Sequence, residues 1–120
     1  FDAILCEPAC APLISADGIL LIYNGAAGLD YKAKLSRGVY RFREQVDDPC
    51  YSIGWALFDR NDPRRLIARA EKPFIFPEHA YELYGIAEYT TFGEGMVTFG
   101  GKHFLYYGCS DTRIAAAIAD

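Results

Sequence analysis

Short runs of β-branched and aromatic residues, each closed by Gly, Pro, Asp or Asn, recur from Ala11 to the end of this chain, and no stretch sustains a helical period. That punctuation restricts the local structure to short strands joined by turns. Ile19-Leu20-Leu21-Ile22-Tyr23 lies between Gly18 and Asn24-Gly25, and residues 51–59 have the same character before the turn cluster Asn61-Asp62-Pro63. Residues 66–70, 96–99, 103–107 and 113–119 complete a set of roughly seven strands. Ala115 to Ala119 has helical propensity, but the corner before it reads as a hairpin, so a strand is preferred. The expected class is all-β.

The 120 residues match one ordinary domain, and 52% hydrophobic with 15% aromatic content is ample for a packed core. A net charge of −4 offers no general basic field for a phosphate backbone, so no nucleic-acid partner is expected. No apolar run approaches the roughly 18 to 20 residues that span a bilayer, so no membrane partner is expected either. The chain opens at Phe1 without an initiator Met or a basic, apolar leader. Location is left between cytoplasm and periplasm.

Cys6, Cys10, Cys50 and Cys109 form no Cys-x-x-Cys pair, and His79 and His103 are far from Cys6 and Cys10 in sequence. These are not zinc spacings. Neither a metal nor a cofactor is expected, and the cysteines are read as buried, reduced small hydrophobes. Residues 30–45 hold five of the twelve basic residues. Within a long loop over residues 26–49, that segment reads as a solvated connection or as a cover for an anionic or sugar ligand.

The corner Tyr106-Tyr107-Gly108-Cys109-Ser110-Asp111-Thr112 joins the last two strands, and strands on both sides hold it in place. Loops so held are free to carry chemistry. Asp111 is therefore a leading candidate, the alternative being an Asp that bonds its own turn backbone.

Three ordered segments carry a resemblance: Leu20-Leu21-Ile22-Tyr23-Asn24-Gly25; then Gly54-Trp55-Ala56-Leu57-Phe58-Asp59 with Asp62-Pro63 and Arg69; then Pro77, Tyr81-Glu82 and Gly85 with Tyr106-Tyr107-Gly108 and Asp111-Thr112. Together they resemble the C-terminal part of glycoside hydrolase family 130, phosphorylases and hydrolases of β-mannosides. The resemblance implies a five-bladed β-propeller with a sugar bound at its centre. Such a propeller needs on the order of 300 residues, so this chain can supply about two blades of four-stranded antiparallel sheet. Residues 1–120 are accordingly expected to be the C-terminal portion of a longer domain. Unpaired edges make a homo-oligomer the expectation if the chain is stable alone.

Inverting hydrolysis needs an acid for the leaving oxygen and a second carboxylate to activate water, whereas in a phosphorylase inorganic phosphate takes the place of that water. The family's phosphorylases usually carry a histidine where Asn24 stands, and Cys6-Glu7-Pro8 looks like its β-1,2-mannosidases. The resemblance thus implies an inverting β-mannoside hydrolase, with Glu7 as general base and Glu88 or Glu94 as replacements. Its alternatives are a β-mannoside phosphorylase and a non-catalytic sugar-binding or assembly remnant. A mannose-containing oligosaccharide is the implied partner, contacted by Asn24, Arg69, Glu82, Tyr107 and Asp111. Glu7 also reads as a surface acid, Glu82 as a strand-end acid and Arg69 as the partner of a neighbouring acid. Trp55 and Tyr107 read either as stacking surfaces for a pyranose or as core aromatics. The general acid has no counterpart here, so the isolated chain is expected to be inactive.

Overall fold

A computed structural model describes residues 1–29, 42–43 and 49–120. Among the described residues the elements are β1 (Leu5–Pro8), β2 (Leu13–Ile14), β3 (Ile19–Leu29), β4 (Phe42–Arg43), β5 (Pro49–Phe58), β6 (Leu66–Arg69), the short helix α1 (Ala80–Leu83), β7 (Thr91–Phe99), β8 (Lys102–Cys109) and β9 (Arg113–Ala119). All strand pairs within the two sheets are antiparallel. The first sheet has the order β1-β3-β5-β6, with β2 and β4 also paired to β3; the second has the order β7-β8-β9.

Strand β5 pairs with β3 along its whole length, from Ile19↔Phe58 to Gly28↔Pro49. The three short strands β2, β1 and β4 must therefore share the opposite edge of β3, meeting Ile19–Leu20, Tyr23–Ala26 and Gly28–Leu29 in turn. The sheet is thus one four-stranded blade with an interrupted edge. The second sheet shows three strands among the described residues where four were expected.

Gly25 was expected to close its strand, but β3 continues to Leu29. The glycine instead permits close packing, since a Cβ there would lie 2.8 Å from the Asp2 Cβ and 2.9 Å from the Phe1 ring. Phe1 and Asp2 cover this face of the sheet, with the Phe1 ring stacked on Tyr23 at 5.9 Å between centroids. The long loop expected over residues 26–49 is accordingly shorter at both ends, because β3 and β5 extend into it. Apart from Phe42–Arg43, the basic segment lies outside the described residues.

The opposite face of the first sheet packs against the second. Ala9, Ile22 and Ile53 meet Leu105, Tyr107 and Cys109 there, with Leu20, Trp55, Met96 and Ala117 around them. Burial of a side chain such as Ile53 contributes about 2 kcal/mol. Asn24 joins the same interface by polar means. Its Nδ2 donates to the Gly93 carbonyl at 3.1 Å, while its Oδ1 accepts from the Gly93 N–H at 2.7 Å. Among the cysteines, Cys50 and Cys109 are buried as expected and Cys10 is half-buried, but Cys6 is exposed on the edge strand.

Between the sheets the chain follows the edge of β5. Ile53 exchanges backbone bonds with Phe74 and Ile75, and Tyr51 N–H donates to Tyr89 O at 3.1 Å. This path delivers Thr90 beside Tyr51 as β7 begins.

Candidate functional site

Two carboxylates, Glu94 and Asp111, converge on one cleft of ≈ 410 Å³, whose lining also includes Tyr51, Phe92, Thr90, Ala87 and Leu5. Each carboxylate arrives through a local irregularity. Glu94 sits where the β7–β8 register slips between Gly93 and Gly95, leaving it without a partner on β8. A bulge of this kind turns a side chain away from ordinary sheet alternation.

Asp111 sits in the β8–β9 turn, in which Thr112 N–H donates to Cys109 O at 3.0 Å. The two central residues, Ser110 and Asp111, have φ of 47° and 54°. Positive φ at both positions is what a type I′ hairpin turn requires. Each left-handed residue costs roughly 1–2 kcal/mol, so the surroundings must hold the turn.

They do so through Ser110, which is fully buried. Its N–H donates to Thr90 O at 3.0 Å, its carbonyl accepts from Ile86 and Ala87 at 2.9 and 3.3 Å, and its Oγ donates to Glu82 O at 2.6 Å. Gly85 permits this approach, since a Cβ there would stand 2.3 Å from the Ser110 carbonyl oxygen. No described residue bonds the Asp111 carboxylate. Its side chain is exposed on the cleft, not folded back on the turn.

Glu82 was expected to touch the sugar or to end a strand. It is instead a buried hub on α1, 2% exposed. Oε2 accepts the N–H groups of Glu78 and His79, each at 2.9 Å, and Oε1 accepts the Tyr107 hydroxyl at 2.9 Å. Burial and this carboxylate both push the Tyr107 hydroxyl pKa upward. Tyr107 is thereby committed to the core, as is Trp55, which packs partly buried against it.

Asn24 is corrected in the same way. A hydroxyl contact was expected, but the side chain is wholly buried and both of its amide functions are used on Gly93. Its neutral charge therefore says nothing about phosphate. Arg69 meets an acid: its guanidinium pairs with Asp2, which also accepts the Tyr23 hydroxyl at 2.7 Å.

Glu7 stands opposite Asn24 in the β1–β3 register, so it shares the face that carries Leu5 toward the cleft. It is exposed and lies outside the lining. Glu88 is also exposed and outside the lining, in the connection before Thr90. Of the three acids considered for a base, the cleft takes Glu94 only.

Sequence reasoning did not single out Tyr51, Phe92, Thr90 or Ser110. The Tyr51 and Phe92 rings meet edge-on, 5.9 Å between centroids at 63°, and give the cleft an apolar wall. Among the described residues the lining carries two acids and no cation. Acceptors on an apolar wall suit a ligand with hydroxyl donors and C–H faces.

Two propeller blades with such a cleft define a segment of a carbohydrate-active protein. The chain belongs to glycoside hydrolase family 130: the family model, described as beta-1,4-mannooligosaccharide phosphorylase, matches residues 9–120. A β-1,2-mannobiose phosphorylase of Thermoanaerobacter sp. (strain X514) is 32% identical over 109 residues, covering 91% of this chain and 30% of its own. The structure of the Listeria innocua β-1,2-mannobiose phosphorylase in complex with β-1,2-mannobiose aligns with 100% of this chain and 29% of its own, at a TM-score of 0.78 and 25% identity. A glycosyl hydrolase structure from Bacteroides ovatus aligns with 97% and 29%, at 0.72 and 37%. The fold is thus part of a five-bladed propeller. The chain spans between 24% and 30% of the length of the curated relatives it matches.

The hydrolytic expectation is corrected by these relatives, whose names are β-1,2-mannobiose phosphorylase and 1,2-β-oligomannan phosphorylase. It had rested on Asn24 and Glu7, of which one is buried in an interface and the other is an exposed acid outside the cleft lining.

Proposed function

We propose that these residues form one wall of the sugar pocket of a β-mannoside phosphorylase, with Asp111 and Glu94 accepting hydrogen bonds from mannose hydroxyls. The observation that carries this is the convergence of the two carboxylates on a cleft walled by Tyr51 and Phe92. Phosphorylase names on the curated relatives support the reaction type. Its substrate is a mannose-containing oligosaccharide.

In phosphorolysis a phosphate oxygen attacks the anomeric carbon, the glycosidic C–O bond breaks, and a proton passes to the leaving oxygen. Two negative side chains repel a phosphate dianion, so the wall described here suits the sugar and not the anion. Cations for phosphate and the proton donor come from other parts of the enzyme. The exposed Val97, Tyr106, Ile114 and Ile118 on the outer face of the second sheet give the same wall an apolar surface for association, with further blades or a second copy.

The test is incubation of the natural protein carrying these residues with β-1,2-mannobiose, with and without inorganic phosphate. Mannose 1-phosphate formed only when phosphate is present is the expected result. Mannose released at the same rate without phosphate overturns the proposal.

A further inference from the structure

Ser110 does not itself line the cleft, but its backbone bonds to Ala87 and Thr90, which do, and it ties the turn that carries Asp111 to three other segments. Four hydrogen bonds leave Ser110 toward three separate segments: its N–H to Thr90 at the start of β7, its carbonyl to Ile86 and Ala87, and its hydroxyl to the Glu82 carbonyl on α1. The Glu82 carbonyl also accepts the Thr90 N–H at 3.0 Å, so the Ser110 hydroxyl and Thr90 share one acceptor. Thr90 itself lines the cleft. The side chain of Glu82 is in turn fixed by Tyr107 from the strand that leads into the turn.

We infer that Ser110 is a positioning residue that aims the Asp111 carboxylate into the cleft, through its hydroxyl bond to the Glu82 carbonyl and the left-handed turn that this bond holds. Without the hydroxyl the turn loses its tie to α1. Two consecutive residues at positive φ are then held by the three backbone bonds alone, and the direction of the carboxylate loosens with the turn. The inference rests on the reading of Asp111 as a mannose ligand.

The test is a double-mutant cycle in the natural protein that carries these residues, with Ser110→Ala, Asp111→Ala and the pair. Mannose affinity by calorimetry, KM for β-1,2-mannobiose and Tm are measured for each. Ser110→Ala is expected to weaken mannose binding about tenfold, while adding less than about twofold once Asp111 is Ala, since coupled neighbours are not additive. An equal loss in both backgrounds overturns the inference, and so does a fall in Tm with affinity unchanged. Ser110→Gly accepts the positive φ without strain and serves the same cycle if the Ala variant fails to fold. Failure of the underlying reading shows separately, as an Asp111→Ala single variant that binds mannose as the parent does. Loss of phosphorolysis alone leaves the calorimetric cycle intact.

Discussion

Asn24 and Gly93, 69 residues apart in the chain, exchange two hydrogen bonds that fasten the first sheet to the second. The amide fits a peptide unit as another peptide would, donor to acceptor and acceptor to donor. Neither group has water as a substitute partner, since Asn24 is fully buried. Asn24→Ala is expected to strand the Gly93 N–H and carbonyl and to destabilise the protein by roughly 2–4 kcal/mol. Urea unfolding measures this, and a loss below about 0.5 kcal/mol would show the pair to be dispensable.

Asp111→Gly separates stability from binding. Glycine adopts a φ near 54° without the penalty that Asp bears, so the variant should be about 1 kcal/mol more stable. It also lacks the carboxylate, so mannose affinity should fall by at least about tenfold. Thermal denaturation and calorimetry on one sample check both halves.

The acids of this segment should divide sharply in kinetics. Glu94→Gln is expected to raise KM for β-1,2-mannobiose about tenfold, because a charged acceptor in the cleft becomes neutral. Glu88→Gln should stay within about twofold of the parent, as an exposed acid outside the lining. Steady-state rates decide, and a large effect at Glu88 with none at Glu94 would reassign the cleft.

Glu82→Ala should be among the most destabilising single changes, by about 3 kcal/mol or more. It removes a buried carboxylate that satisfies two backbone N–H groups and the Tyr107 hydroxyl at once. Glu82→Gln retains an acceptor and the size of the side chain, so it should lose less. Equal losses for the two variants would show that acceptor capacity is not what Glu82 supplies.

Stability should decline at alkaline pH. Burial pushes the Cys50 thiol from its ordinary 9.0 to about 12, and burial with a carboxylate partner raises Tyr23 and Tyr107 above their ordinary 10.0. All three are held neutral in the fold and ionise more readily when unfolded. Their stabilisation is complete below about pH 9 and is lost as pH rises through the folded values. Cys50→Ala should flatten the part of the decline between about pH 9 and 12. Urea midpoints across that range test it.

Much of the architecture was legible in the chain, because alternating apolar runs and turn residues act locally. The strand expected over residues 51–59 appears as β5 and that over 66–70 as β6, while Arg113–Ala119 forms a strand despite its alanines. The Asp111 corner was legible for the same reason. Side-chain roles were harder, since they depend on partners far along the chain. Nothing near Asn24 announces Gly93, and nothing near Glu82 announces Tyr107, 25 residues on. The Glu94 bulge is a mismatch between two strands, and neither strand shows it alone.

The hold on Ser110 also bears on how a ligand is met. With its carbonyl, amide and hydroxyl all engaged within the fold, the backbone that carries Asp111 is preorganised, and the entropy of ordering that backbone was lost during folding. If Asp111 is a mannose ligand as proposed, encounter requires little rearrangement of this turn, and discrimination between epimeric sugars rests on where the turn sets its acceptor.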